Sequence, residues 1–368
     1  MSVCHGPDSG TTGTVTPPPG VGLAIGPANY AGQAHQWARA AQRVLGVPAV
    51  SFAFSDRLPV LRSGTFGFPV DCRLRHPRLS TRWGRAAQLR RVLRDTTHLA
   101  VDGFLAVYHR AGRGISLDFG RLRREGFQVA LVAHGTEIRD PEHHLARYDY
   151  SYYRDAPADW VRQVGQRARR NRSFAAQCGA PLFVSTPDLL LDVDGATWLP
   201  VSIDPAGWVT RRPALRTTVP TVLHRPTRTV PPIKGTRVID PILRALDAQG
   251  RIRYLAPEVV PHHTMPRLVA EADIVVDQIL TGSYGVTAVE AMAAGRLVIG
   301  NVAADTVAVM PEEPPIRNAT PETFAAVLAE ILADPSAYAG QAAAGPGFVR
   351  RWHDGTAAAG ALRPFLLA

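Results

Sequence analysis

Lysine is almost missing from this chain. Of its 41 basic residues only Lys234 is a lysine, so the formal net charge of +10 is carried by arginine. Arg, Ala, Pro, Gly and Val are all abundant, as GC-rich coding sequence favours, and that bias accounts for the arginines as a set. No recognised nucleic-acid-binding module accompanies the charge, and charge alone specifies no such partner. Cysteine is scarce too: Cys4, Cys72 and Cys178 are odd in number and far apart. They suggest neither a disulfide framework nor a metal cluster, and a reducing cytoplasm is the expected compartment. No apolar run approaches the roughly 18 residues of a membrane span. The opening residues 1–20 lack a basic n-region and an apolar h-region, so they read as a flexible lead-in rather than a secretory signal.

What is present is ordinary for a globular protein, with 46% hydrophobic and 20% charged residues. A length of 368 residues exceeds what one hydrophobic core usually supports, so two domains are expected. An apolar run at 21–25, a glycine-containing loop from Gly26 to Gly32, a helical pattern at 33–45 and a strand at 49–54 read as a βαβ unit. Strands near 99–101, 128–133 and 181–184 alternate with helices near 80–94, 117–125 and 158–177. After a Pro-, Arg- and Thr-rich stretch at 204–219, strands recur at 220–224, 252–256, 273–277 and 297–301, and helices near 321–333 and 348–367 close the chain. This alternation predicts two doubly wound parallel sheets, with a ligand cleft beyond the carboxyl ends of the strands.

The most informative segment is 273–302, DIVVDQILTGSYGVTAVEAMAAGRLVIGNV. A buried strand ends at Asp277, and a loop of Gly282, Ser283, Tyr284 and Gly285 opens a helix that carries Glu290. Free amides at a helix start, including Gly285, Val286 and Thr287, suit an anion such as a diphosphate. Glycine-rich strand–helix turns occur in every α/β protein, so the turn by itself suits a purely structural role as well as a phosphate site.

The same segment resembles the C-terminal signature of family-four GT-B glycosyltransferases through Tyr284, Gly285, Glu290, Ala291, Met292, Ala293, Ala294 and Gly295. The resemblance implies that Glu290 binds the donor ribose and that the loop amides approach the donor diphosphate. It departs at Gly282, where the family carries a glutamate that contacts the donor sugar. Upstream, residues 222–240 resemble the family's Arg-then-Lys-Gly pattern, with Lys234-Gly235 opening a helix and Arg228, or Arg225, as the arginine. Such cations would neutralise the departing diphosphate. A lone lysine among arginines suggests a geometric requirement.

In the N-terminal half, the loop holding Gly26, Asn29, Tyr30 and Gly32 takes the place of the family's glycine-rich loop on the acceptor side. His134, before Gly135 and Thr136, resembles the strand-end histidine that contacts the transferred sugar. The tail at 348–367 resembles the helix that crosses back to the first domain. The expected organisation is a flexible 1–20, an acceptor domain 21–205, a linker 206–218, a donor domain 219–345 and a tail 346–368. The implied activity is transfer from a nucleotide diphosphate sugar to an acceptor hydroxyl, with retention, without metal, and with no cofactor beyond the co-substrate. His134, Arg228 and Lys234 would carry the chemistry, and domain closure would complete the site.

The acceptor is open between a small molecule and a lipid. Residues 72–94 carry eight arginines, with Trp83, Leu89, Val92 and Leu93 for an apolar side, and 162–172 is a second basic cluster. Each could face solvent, an anionic membrane surface or an anionic soluble acceptor. A GT-B epimerase or hydrolase and a non-catalytic GT-B partner subunit are the rival readings. The adjacent pairs His143-His144 and His262-His263 would face opposite ways if they lay on strands, and no metal is assigned to them.

Overall fold

The computed structural model describes residues 20–55, 67–75, 82–108, 114–225, 230–257 and 260–367. A first parallel sheet is built from β1 (Leu23–Gly26), β2 (Ala49–Ser55), β3 (Cys72–Arg75), β4 (His98–Asp102), β5 (Gln128–Ala133), β6 (Leu182–Val184) and β7 (Thr197–Trp198). Their order is β3-β2-β1-β4-β5-β6-β7, so the order in which strands are added reverses between β1 and β4. The helices of this half are α1 (Gln33–Leu45), α2 (Arg82–Val92), α3 (Phe119–Arg124), α4 (Pro141–Arg147) and α5 (Ala158–Cys178).

A second parallel sheet contains β8 (Thr221–His224), β9 (Arg253–Leu255), β10 (Ile274–Val276), β11 (Leu297–Gly300) and β12 (Ile316–Asn318), in the order β12-β11-β10-β8-β9. Here the order of addition reverses between β8 and β10. Helices α6 (Thr236–Ala248), α7 (Met265–Glu271), α8 (Val286–Ala293), α9 (Ala304–Ala308) and α10 (Phe324–Ala333) surround it. The chain ends in α11 (Ala339–Trp352) and α12 (Thr356–Leu367). The central strands β1, β4, β8, β10 and β11 are buried along their whole length. That is why they read as short continuous apolar runs rather than alternating ones.

The tail is two helices where one was expected. Phe348 and Val349 of α11 pack with Met292 and Val298 of the second half, whereas Ala358, Leu362, Phe365 and Leu366 of α12 pack on Leu23, Trp37 and Ala41 of the first. Between them lies buried His353, whose Nδ1 meets the Val201 carbonyl at 2.7 Å and whose Nε2 meets the Tyr284 hydroxyl at 3.1 Å. Of the expected apolar side of α2, Leu89 and Leu93 are buried in the first sheet's core and Val92 packs partly buried against it, while the side chain of Trp83 lies outside the described residues. No helix among the described residues is long and apolar enough to cross a membrane.

A second bridge between the halves has no counterpart in the sequence reading. Residues 144–164 leave the first sheet and enter the core of the second: Tyr152, Tyr153 and Val164 cluster with Val222, Ile239 and Ile279. His144 reaches the Thr281 carbonyl at 3.3 Å, the Tyr152 amide donates to the Leu280 carbonyl, and the Tyr148 hydroxyl meets Thr306 Oγ1 at 3.2 Å.

Burial holds His144, His224 and His353 down at about 4, against an ordinary value of 6.5. All three are neutral in the folded chain and take up protons on unfolding once the pH drops below 6.5. Their stabilisation is thus complete above pH 6.5 and is lost progressively down to about 4, by up to roughly 3 kcal/mol for each. Between pH 6.5 and 5, above the range where most carboxylates titrate, the melting temperature is expected to fall by several degrees. A flat profile in that window would contradict the neutral assignment.

Candidate active site between the two sheets

The first reversal point is closed by a carboxylate. Asp102, buried at the end of β4, accepts the amides of Ala28 and Asn29, each at 2.7 Å. The amides at 28 and 29 that a phosphate would seek are therefore occupied. Asn29 is buried, its Nδ2 donating to the Pro69 carbonyl and its Oδ1 accepting the His35 amide. Gly26 lies against β2, where a Cβ would meet the Phe52 carbonyl at 2.3 Å. Gly32, at φ 75°, turns the chain into α1. Of this loop's residues Tyr30 is the exposed one, and its ring stands edge-on to His134 at 5.2 Å.

His134 follows β5 and is stacked on the buried ring of Trp37 at 5.6 Å. Its Nε2 lies 3.7 Å from Asp102 Oδ2, too far for a hydrogen bond, and that buried nitrogen has no other partner. The imidazole is thus oriented by two aromatic rings and by the field of one carboxylate.

The second reversal point is closed in the same way. Asp277, buried just beyond β10, receives the Lys234 ammonium on Oδ1 at 2.9 Å and the Gly285 amide on Oδ2 at 2.9 Å. Lys234 also donates to Thr287 Oγ1 at 3.2 Å. The expected free cation and the first expected free amide are neutralised by a carboxylate that the sequence reading passed over. Gly235 is required here: at φ 79°, a Cβ would sit 2.5 Å from Ile279.

Glu290 is buried one turn into α8 and accepts from His262 Nε2 at 2.6 Å. Burial pushes its carboxyl up, and His262 opposes that shift. His262 lies against Phe68 at 4.4 Å, joining the two halves. Arg225 follows β8 and donates to the Val260 carbonyl at 3.4 Å; burial lowers its pKa, and Glu290 opposes this. Arg228 lies outside the described residues.

The glycine at 282 has a steric reason. Its φ is 66°, and a Cβ would come within 2.8 Å of the Tyr148 ring. Tyr148 thus fills the space where the related pattern carries a glutamate. Ser283 is buried, and its carbonyl accepts from Gln278 Nε2 at 2.7 Å. The Tyr284 hydroxyl is held by His353, and burial raises its pKa.

Between the two reversal points lies a cavity of about 610 Å³. His134, Gly135 and Tyr30 line it from the first sheet, and Gln278, Tyr284, Gly285 and Val286 from the second. Lys234, Glu290 and Arg225 are not among its lining residues. Arg167 and Arg170 of the 162–172 basic cluster also line it, as do three residues to which sequence reasoning gave no role: Glu137, Trp160 and Arg139, the last in a buried ion pair with Asp188 at 2.5 Å. The two histidine pairs lie on helical turns rather than strands, and His144 and His262 are engaged as described above. A second depression, of about 550 Å³, lies away from this cleft among Arg211, Arg216, Arg296 and Arg350.

No protein-family model and no curated protein sequence matches the chain. Solved structures do match it in shape. HepE of Anabaena in complex with UDP and glucose superposes with a TM-score of 0.59 at 13% identity, over 94% of this chain and 98% of that one. Sucrose-phosphate synthase from Thermosynechococcus elongatus gives 0.58 at 13% identity, over 92% and 96%. UDP-GlcNAc 2-epimerase from Neisseria meningitidis bound to UDP-GlcNAc gives 0.52 at 11% identity, over 94% and 99%. The chain has the GT-B fold: two Rossmann-like domains facing one another across a cleft.

The clash at residue 282 generates a double-mutant prediction. Gly282→Ala should destabilise the protein by about 1–3 kcal/mol, from the left-handed φ together with the contact on Tyr148. In a Tyr148→Ala background the steric part vanishes, so the penalty should shrink by about 1 kcal/mol in denaturant titrations. Equal penalties in both backgrounds would show that Tyr148 does not exclude a side chain at this position.

Proposed function

We propose that the chain is a glycosyltransferase that moves a sugar from a nucleoside diphosphate sugar to an acceptor hydroxyl. One observation carries this reading: His134, from the first domain, and the Gly285–Val286 start of α8, from the second, line the same cavity. The amides beginning α8 have no intrahelical acceptor, and the helix dipole favours an anion beside them. A departing diphosphate would rest there, with Lys234 acting through Asp277 and Thr287 to hold the loop rather than as a free charge. His134 would face the transferred sugar, and Glu290, with Oε1 on His262, would turn its other oxygen to the ribose. In this reading transfer proceeds with retention and without metal, as the motif resemblance implies.

HepE and the 2-epimerase hold UDP, or a UDP-sugar, in this fold, which puts uridine nucleotides first among donors to be tried. A UDP-sugar epimerase is the second reading, and Glu137 favours it by adding a carboxylate to the cavity wall.

The test is a thermal-shift panel of UDP-, GDP-, ADP- and dTDP-sugars on wild type and Glu290→Gln, followed by product analysis. One nucleotide sugar should raise the melting point, by about 2.7 kcal/mol of stabilisation at a hundredfold excess over Kd. Glu290→Gln should weaken the affinity about tenfold through the lost charged hydrogen bond, which cuts the stabilisation at the same ligand concentration to about 1.4 kcal/mol. Lys234→Ala is a poor probe, because it strands the buried Asp277 carboxylate. Nucleotide release that depends on added acceptor, with an unchanged anomeric configuration by NMR, supports retaining transfer. Conversion of the donor without acceptor would move the epimerase reading to the front. No response to any nucleotide at millimolar concentration would overturn the proposal.

A further inference from the structure

The basic cluster on α5 divides into two groups. Its arginines are Arg162, Arg167, Arg169, Arg170 and Arg172. Three are neutralised locally: Arg162 pairs with Asp159, Arg169 with Glu142 and Asp140, and Arg172 with Asp140 at 3.6 Å. Arg167 and Arg170 pair with no carboxylate among the described residues, and these are the two that line the cleft cavity. Arg167 donates to the Thr136 carbonyl and hydroxyl, which holds its head beside the Gly135–Thr136 turn that follows His134.

Helical spacing explains the division. Residues 160, 164, 167 and 171 recur at i, i+4, i+7 and i+11, so they share one face of α5. Val164 and Asn171 anchor that face, Asn171 through its bond to the Glu137 carbonyl at 2.9 Å. Trp160 and Arg167 of that face line the cavity, and Arg170, three residues after Arg167 and so beside it on the helix, lines it too. The other charged groups on the cavity wall do not offset the two arginines fully. Arg139 is neutralised by Asp188, and Glu137 supplies one negative charge against two positive ones. Lys234, the cation expected to serve an anion here, is itself cancelled by Asp277.

We propose that Arg167 and Arg170 form an anion subsite for the acceptor, selecting acceptors that bear a phosphate or carboxylate group. The inference rests on the glycosyltransferase reading of the same cavity and names its substrate class. α5 lines the cavity together with the α8 start assigned to the donor diphosphate, so the subsite adds a second anion to the cleft. Guanidinium groups suit this use, since their planar fork matches both oxyanions. Trp160 offers an apolar surface in the same wall for the body of such a molecule.

The test uses full-length protein and three probes measured by calorimetry: UDP for the donor, glucose 6-phosphate for an anionic acceptor and glucose as its neutral counterpart. Wild type should bind glucose 6-phosphate at least about tenfold more tightly than glucose. Arg167→Ala/Arg170→Ala should lose that preference while its UDP affinity stays within about twofold. Arg170→Ala alone, which touches no backbone contact, should lose part of it, and Arg162→Ala, an equal loss of charge off the cavity, should lose none. A tenfold loss of UDP affinity in the double variant would assign the arginines to the donor diphosphate and overturn the proposal. So would equal binding of glucose and glucose 6-phosphate to wild type. Failure of wild type to bind UDP would instead count against the glycosyltransferase reading, independently of the other two probes.

Discussion

The carboxylate of Asp277 is the constraint on which the site depends. It sits at the end of β10, where the strand order of the second sheet reverses, and binds an ammonium with one oxygen and a helix-opening amide with the other. Three segments are fixed relative to one another by that one group: the loop after β8, the end of β10 and the start of α8. Breaking a buried pair of this kind typically costs about 3–5 kcal/mol, because the surviving charge is left without a partner. The lone lysine of an arginine-rich chain is explained by the same geometry. A compact ammonium reaches both Asp277 and Thr287, at 2.9 and 3.2 Å, a point-charge geometry for which a planar guanidinium fork is not an equivalent. Asp102 repeats the arrangement in the first domain, where it holds two loop amides and faces His134.

The two domains are joined by more than a linker. The tail crosses between them at His353, and residues 144–160 place tyrosines of the first half inside the core of the second. A cleft that opens widely would have to withdraw Tyr152 and Tyr153 from that core and break the His144–Thr281 contact. The two halves are therefore held close to one geometry by packing, to which the Tyr148 ring against Gly282 contributes.

The fold was largely legible because buried parallel strands leave continuous apolar runs, and residues 128–133 and 297–301 were found within a residue or so of their observed bounds. Short edge strands escaped: β3, β7 and β12 are partly exposed, and Thr197–Trp198 spans only two residues. In the site, glycines and helix starts were readable as local patterns, whereas their partners were not. Asp277 was seen as a strand end, yet its role depends on Lys234, 43 positions away. Gly282 stood out as a departure, and its cause, Tyr148, lies in another domain. The division of the α5 arginines likewise needed the positions of Asp140, Glu142 and Asp159. Long-range pairing of charges leaves no local trace in sequence.

The most direct test of the central claim, that the cavity between Asp102 and Asp277 is a nucleotide site, is a crystal structure with UDP. The diphosphate is predicted to lie against the amides of Val286 and Thr287, on the side of the cavity facing His134, with the Asp277–Lys234 pair intact behind it. Nucleotide bound instead in the depression formed by Arg211, Arg216, Arg296 and Arg350, or a cleft left empty at saturating UDP, would contradict the account.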